Sequence, residues 1–66
     1  MHTVILPPPV PTGRIKSFGP VGPKYTVGEI LRQLPDGDWM VEVTLVETGE
    51  KVEHKLTNLR DDPEAA

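Results

Sequence analysis

Between Trp39 and Val46 apolar and polar side chains alternate, with Trp39, Val41, Val43 and Leu45 in one phase and Glu42 and Thr44 in the other. A period of two is the signature of a strand buried on one side, and it excludes an amphipathic helix over these residues. Glu47-Thr48-Gly49-Glu50 follows as a turn, after which Val52, His54 and Leu56 alternate with Lys51, Glu53 and Lys55. The pattern predicts a β-hairpin. With Thr48-Gly49 as a two-residue loop, Leu45 faces Val52, Val43 faces His54 and Val41 faces Leu56, and Glu42 meets Lys55 on the outer face.

Residues 25–34 are expected as the neighbouring strand, joined through Pro35-Asp36-Gly37-Asp38, where Asp-Gly is a hairpin signal. A strict two-residue loop there sets Arg32 opposite Val41, on the core face. A β-bulge near Gly28-Glu29, or a loop of odd length, resolves this and lets the adjacent Ile30 and Leu31 serve both phases. The competing reading is α+β, with a short helix at 28–34 built on the spacing of Ile30, Leu31 and Leu34. Arg14 to Phe18 alternates briefly and reads as a first strand. Asn58 is placed to cap one helical turn from Leu59, and Asp62-Pro63 to open another. The predicted fold is therefore all-β: a small antiparallel meander curled toward an SH3-like half-barrel, with a single helical turn at the C-terminus. Its expected core is Ile15, Phe18, Tyr25, Val27, Trp39, Val41, Val43, Leu45, Val52, Leu56 and Leu59.

Six of the eight prolines fall in the first 23 residues, and residues 7–11 read Pro-Pro-Pro-Val-Pro, an extended run without backbone donors for a ladder. The predicted organisation is a proline-rich tail at 1–12, one small β domain at 13–60 and a C-terminal tail at 61–66. The chain has 66 residues and no cysteine, which excludes a disulfide framework, a cysteine zinc site and a thiol nucleophile. A core this small leaves a thin margin of stability: either the core is compact and nearly complete, or a second subunit or partner finishes it. No apolar run approaches the ~20 residues of a membrane span. Val4-Ile5-Leu6 is cut off by Pro7-Pro8-Pro9, so no leader is expected, and the expected compartment is the cytoplasm.

Four stretches carry a family resemblance. Residues 17–25 read Ser-Phe-Gly-Pro-Val-Gly-Pro-Lys-Tyr, residues 37–41 Gly-Asp-Trp-Met-Val, residues 47–50 Glu-Thr-Gly-Glu and residues 62–65 Asp-Pro-Glu-Ala. Together they resemble an uncharacterised family of short bacterial proteins, a domain of unknown function, over roughly residues 13–65. The resemblance implies a bacterial single-domain protein and transfers no catalytic or binding residue.

Residue by residue, the chemistry is sparse. Gly19-Pro20-Val21-Gly22 contains the G-x-x-G of a nucleic-acid clamp, but Pro20 and Pro23 lack the donors such a clamp needs. A rigid strand connection is the plainer reading. The sharper one is a stiff lip beside Phe18 and Tyr25 over a shallow peptide groove. Pro8 and Pro11 have P-x-x-P spacing without a well-placed basic residue. Ser17 is the only serine, His2 lies in the tail, and His54 reads as a half-buried structural residue facing Val43. No Gly-x-Ser-x-Gly elbow supports a nucleophile. Asp36 and Asp38 bracket a turn glycine, Asp61 and Asp62 sit in a helix cap, and the calcium-loop pattern fails at Trp39. No catalytic, cofactor-binding or metal-ligating residue is assigned, no cofactor or small-molecule substrate is implied, and the chain is read as not an enzyme.

Charge is divided: residues 1–24 carry Arg14, Lys16 and Lys24 and no acid, whereas residues 25–66 hold four basic and ten acidic residues, giving −3 overall. The leading expectation is a small protein-interaction module that binds a protein partner or itself, the basic segment of one copy meeting Glu42, Glu47, Glu50 and Glu53 of another. The candidate surface is Arg14, Lys16, Phe18, Gly19, Pro20 and Tyr25. The alternative is a nucleic-acid-binding accessory or antitoxin-like protein using the basic segment 14–25, against which the acidic body argues by its sign. Trp39 is read as core or, alternatively, as a groove anchor beside Tyr25 and Phe18.

Overall fold

The computed structural model describes residues 6–65. Strands β1 (Ile15–Ser17), β2 (Lys24–Gln33), β3 (Trp39–Leu45) and β4 (Lys51–Lys55) form one antiparallel sheet in the order β1-β2-β3-β4, and helix α1 (Leu56–Asp61) follows β4 directly. This is the small meander with one helical turn that the alternation predicts. Residues 28–33 continue β2 and form no helix. β2 contains two register shifts, one between Val27 and Ile30 and one between Ile30 and Arg32, so Arg32 pairs with Met40 and leaves the core row. The first shift is where a bulge was expected. Gly28 is required there, since a Cβ would lie 2.6 Å from the Glu42 carbonyl oxygen.

The β3–β4 hairpin has the expected faces and a different register. Val43 pairs with Val52, Val41 with His54, and Glu42 with Glu53. The loop is residues 46–50, closed by the Leu45 N–H to the Glu50 carbonyl at 2.8 Å and the Gly49 N–H to the Leu45 carbonyl at 2.8 Å. Gly49 adopts φ 75° there, which explains why the turn needs glycine. The slip is two residues, an even number, so no side chain changes face. His54 lies opposite Val41 in place of Val43, and Glu42 faces the like-charged Glu53. Arg32 relieves that opposition through a bidentate bridge to Glu53 at 2.7 and 3.3 Å, while Lys51 Nζ lies 3.9 Å from Glu42.

Tyr25, Val27, Val41, Val43, Leu56 and Leu59 are buried, and Val10, Phe18, Ile30, Trp39, Leu45 and Val52 pack against them. Ile15, expected in this core, is not part of it. Trp39 is half-buried and pairs with Gln33, at the opposite end of β3 from Leu45, the partner of Tyr25. At about 3.3 Å per residue, the two ends of β3 are roughly 20 Å apart. A groove anchor beside Tyr25 and Phe18 is therefore not formed by this indole.

Both segments expected as tails contact the sheet at their inner ends. On the N-terminal side, residues 1–5, with His2, lie outside the described residues. Val10 packs on the core, the Thr12 hydroxyl donates to the Gly28 carbonyl at 2.9 Å, and the Gly13 N–H donates to the Val27 carbonyl at 2.8 Å. On the C-terminal side, residues 62–65 run antiparallel along β1. Lys16 and Glu64 are backbone partners across the two segments, the Ser17 N–H donates to the Pro63 carbonyl at 3.1 Å, and the Ala65 N–H to the Ile15 carbonyl at 2.8 Å. The helix begins at Leu56, before the expected cap at Asn58. Lys55 is its N-cap and makes no side-chain bond; instead Asp38 Oδ1 accepts the Thr57 N–H at 3.4 Å from across the fold. Asp62 closes the helix, accepting no continuation into a second turn.

Candidate functional site

The functional groups that the fold gathers lie at the end of the sheet near the β1–β2 connection. Tyr25 comes from β2, His54 from β4, Asp62 from the C-cap of α1, and Phe18 and Gly19 from the connection at residues 18–23. The connection is tight: the Phe18 N–H donates to the Pro23 carbonyl at 3.1 Å, and a Cβ on Gly22 would lie 1.9 Å from the Phe18 carbonyl oxygen. This holds the Gly19 N–H toward Asp62 Oδ1 at 3.3 Å.

Asp62 is the hub. Its Oδ2 accepts the Tyr25 hydroxyl at 2.7 Å and lies 2.9 Å from His54 Nε2. Burial alone pushes this carboxyl up; the hydrogen bonds from Tyr25, His54 and the Gly19 N–H, with the attraction of His54, outweigh it and hold the group below the ordinary carboxylate range. An ionised carboxylate only accepts, so His54 must carry its proton on Nε2. Tyr25 is fully buried. Burial, the bond to Asp62 and the charge of Asp62 push its phenol far above the usual value, so it stays a donor. Phe18 covers the group, with its ring 4.5 Å from Tyr25 and 4.8 Å from His54, the latter edge-on. The arrangement pins residues 63–65 against β1, with the Tyr25 hydroxyl and His54 Nε2 both spent on Asp62.

The expected partner-binding surface is therefore divided. Tyr25 lies in the interior. Lys16 is buried between Tyr25 on β2 and Glu64 on the terminal segment, at 6% exposure. Arg14 is exposed and paired with Glu64 at 3.2 Å. Phe18 and Gly19 are half-buried, and Pro20 alone of the six is exposed and unengaged by side-chain bonds. Ser17 is buried and its hydroxyl donates to the Gly19 carbonyl at 2.7 Å. A shallow cleft of about 630 Å³ lies between residues 18–23 and the terminal segment, lined among others by Pro20, Gly22, Lys24, Asp61 and Pro63. Phe18 and Tyr25 do not line it, which removes the aromatic lip expected from the sequence. Among the described residues no group of three or more His, Asp or Glu side chains is placed to hold a metal ion.

Sequence reasoning missed a second feature, the difference between the two sheet edges. β1 is covered by residues 63–65. β4 has no strand beyond it among the described residues. The Leu45 N–H points to Glu50 and the Val46 N–H to Lys24 on the other side, which fixes the alternation along β3. It follows that Val52 and His54 direct their backbone groups to β3, whereas Lys51 and Glu53, and the N–H of Lys55, direct theirs outward. The signal available in the sequence was the charged alternation Lys51, Glu53, Lys55, characteristic of an exposed edge.

A four-stranded antiparallel meander, locked by a C-terminal latch and open along β4, defines a small β-rich single-sheet protein whose distinctive chemistry lies at its edges. The chain belongs to the family of unknown function DUF5397, which it matches over residues 3–66. It is also similar to an uncharacterized protein of Haemophilus influenzae (strain ATCC 51907 / DSM 11121 / KW20 / Rd), 52% identical over 56 residues that cover 85% of this chain and 89% of the relative. The expected membership in a short, uncharacterised bacterial family is thus met, and the function of that family is unknown. No helix among the described residues is long and apolar enough to cross a membrane.

Proposed function

We propose that this protein is a small non-enzymatic interaction module of the bacterial cytoplasm, and that it binds a protein partner by accepting an extended strand along β4. The observation that carries this reading is the asymmetry of the sheet. The chain covers its short edge at β1 with its own residues and leaves outward backbone donors and acceptors at Lys51 and Glu53. Strand addition supplies affinity through such groups, and alternate side chains supply specificity. Beside that edge, half-buried Val52 continues the core row, and Val46 is half-exposed at the adjoining loop. The non-enzymatic part is supported by the engagement of Ser17, His54 and Asp62 with structural partners.

The basic segment 14–25 supports nucleic-acid binding less well. Lys16 and Tyr25 are buried and Arg14 is paired with Glu64, which leaves Lys24 as its one exposed cation without a salt bridge among the described residues. The same facts support self-association through that segment less well.

The test uses Glu53→Pro. Proline at an edge position whose N–H faces outward removes that donor and leaves the β3 ladder intact. Proteins captured by the wild-type chain and lost by this variant should protect the amides of Lys51, Glu53 and Lys55 from hydrogen exchange when added back. Equal capture by both baits, or a partner that leaves these amides exchanging freely, refutes the strand-addition reading.

A further inference from the structure

The open β4 edge carries its own selection rule for an occupant. In an antiparallel addition the outward-facing residues 51, 53 and 55 must meet outward-facing residues of the incoming strand. For a second copy of this chain that leaves a small set of registers. The centred one sets Glu53 against Glu53 and Lys51 against Lys55, like charges directly opposite on both counts. A shift toward the helix sets Glu53 against Lys55 but runs residues 51–52 into positions 56–57 of the other copy, which belong to α1. A larger shift toward the loop sets Lys51 against Lys51. The remaining register pairs Lys51 with Glu53 of the second copy and Glu53 with Lys51 of the second copy, about a two-fold axis at Val52.

We infer that two copies of this protein pair through β4 in that register, joining two four-stranded meanders into one continuous eight-stranded sheet. The inference rests on the strand-addition reading and names the occupant. Three observations converge on it. Within one copy, Glu42 lies directly opposite Glu53, and among the described residues Arg32 is the single cation bridging Glu53. Lys51 of the second copy brings a further cation to that acidic pair, and itself remains beside its own Glu42, as it is at 3.9 Å in the single chain. Second, the axis brings Val52 against Val52 on the inner face, extending the partly buried row that packs against Val43. Third, among the described residues only one edge is open. Two-fold pairing of a single edge consumes it and closes the assembly at a dimer.

Sedimentation and light scattering on the full chain from about 10 μM to about 1 mM test the inference. The expected result is a monomer–dimer equilibrium that weakens with salt. K51E places Glu opposite Glu and E53K places Lys opposite Lys at both symmetric pairs. Each should weaken the homodimer about tenfold or more. An equimolar mixture of K51E and E53K sets opposite charges at both pairs, and should restore association as a heterodimer. Backbone NMR spectra of each variant establish that the fold is retained, and the mixture carries its own control, since a misfolded variant cannot be rescued. Wild-type protein that stays monomeric at about 1 mM, or a mixture no stronger than its components, overturns the inference. If in that case a different protein protects the β4 amides and Glu53→Pro abolishes the protection, strand addition stands and self-pairing falls.

Discussion

Removing a single oxygen, by Tyr25→Phe, isolates the contribution of the latch. The ring stays buried at 0% exposure and its contacts with Phe18 are unchanged in kind, so the cavity is no larger than a hydroxyl. What is lost is a 2.7 Å bond to an ionised acceptor. Hydrogen bonds to charged groups contribute about 1.5–3 kcal/mol, and a 66-residue domain has a total stability on the order of 3–10 kcal/mol. With a urea m-value near 1 kcal/mol/M, the unfolding midpoint should fall by about 2 M at pH 7. The pH dependence gives a sharper signature. Asp62 is depressed in the folded state, so its contribution is complete above the unfolded carboxylate pKa of about 3.9 and is lost as pH falls through the lower folded value. Without the Tyr25 donor the folded Asp62 titrates higher, and less stability remains to be lost on acidification. The gap between wild type and variant should therefore narrow as pH falls below about 4. A gap under about 0.5 kcal/mol at pH 7, or one that stays constant to about pH 3, would refute the assignment of Asp62 as the charged hub.

Gly28→Ala should destabilise by about 2–4 kcal/mol in urea titration, because its Cβ meets a backbone oxygen that cannot move without breaking the β2–β3 ladder, whereas the helix residues would keep their shifts until global unfolding. Asp38→Ala removes the acceptor at 2.8 Å from the Trp39 N–H and at 3.4 Å from the Thr57 N–H, and should speed amide exchange in the first turn of α1 while leaving the exchange of Val41 and Val43 unchanged.

The strand faces were legible because a period of two survives errors of register. The expected hairpin differs from the observed one by two residues, and Val41, Val43, Val52 and His54 still point inward. Turn chemistry was the weaker signal: Thr48-Gly49 fits a two-residue loop, but Gly49 instead closes a five-residue connection in which Thr48 Oγ1 accepts the Glu50 N–H at 3.1 Å. The latch was not legible for a different reason. Its members lie at positions 25, 54 and 62, on three elements, and Asp62 read locally as the start of a helical turn. Two partial signals were present. Tyr25 and His54 both occupy inward phases, and a buried phenol and a half-buried imidazole each need a polar partner, so a hydrogen-bonding group had to arrive from elsewhere. Lys16 misled in the opposite direction. Read as surface charge, it is covered because β1 is flanked on both sides, a fact fixed by residues almost fifty positions away.

The latch and the open edge act on the same quantity, the number of sheet edges available to other chains. With residues 63–65 held on β1 by Asp62, the described residues leave one edge open, and the proposed two-fold pairing of one edge would give a closed pair. If the segment were released, β1 would offer a second edge on the far side of the same sheet, and a molecule with two complementary edges can extend without limit. The burial of Asp62, which by itself disfavours its charge, is thus offset by three donors whose collective effect reaches beyond folding stability. They hold a four-residue segment where it excludes a second strand. In a domain too small to hide its edges behind helices, residues 63–65 cover one edge and alternating charge lies along the other, so that under the proposed pairing the charges select one register.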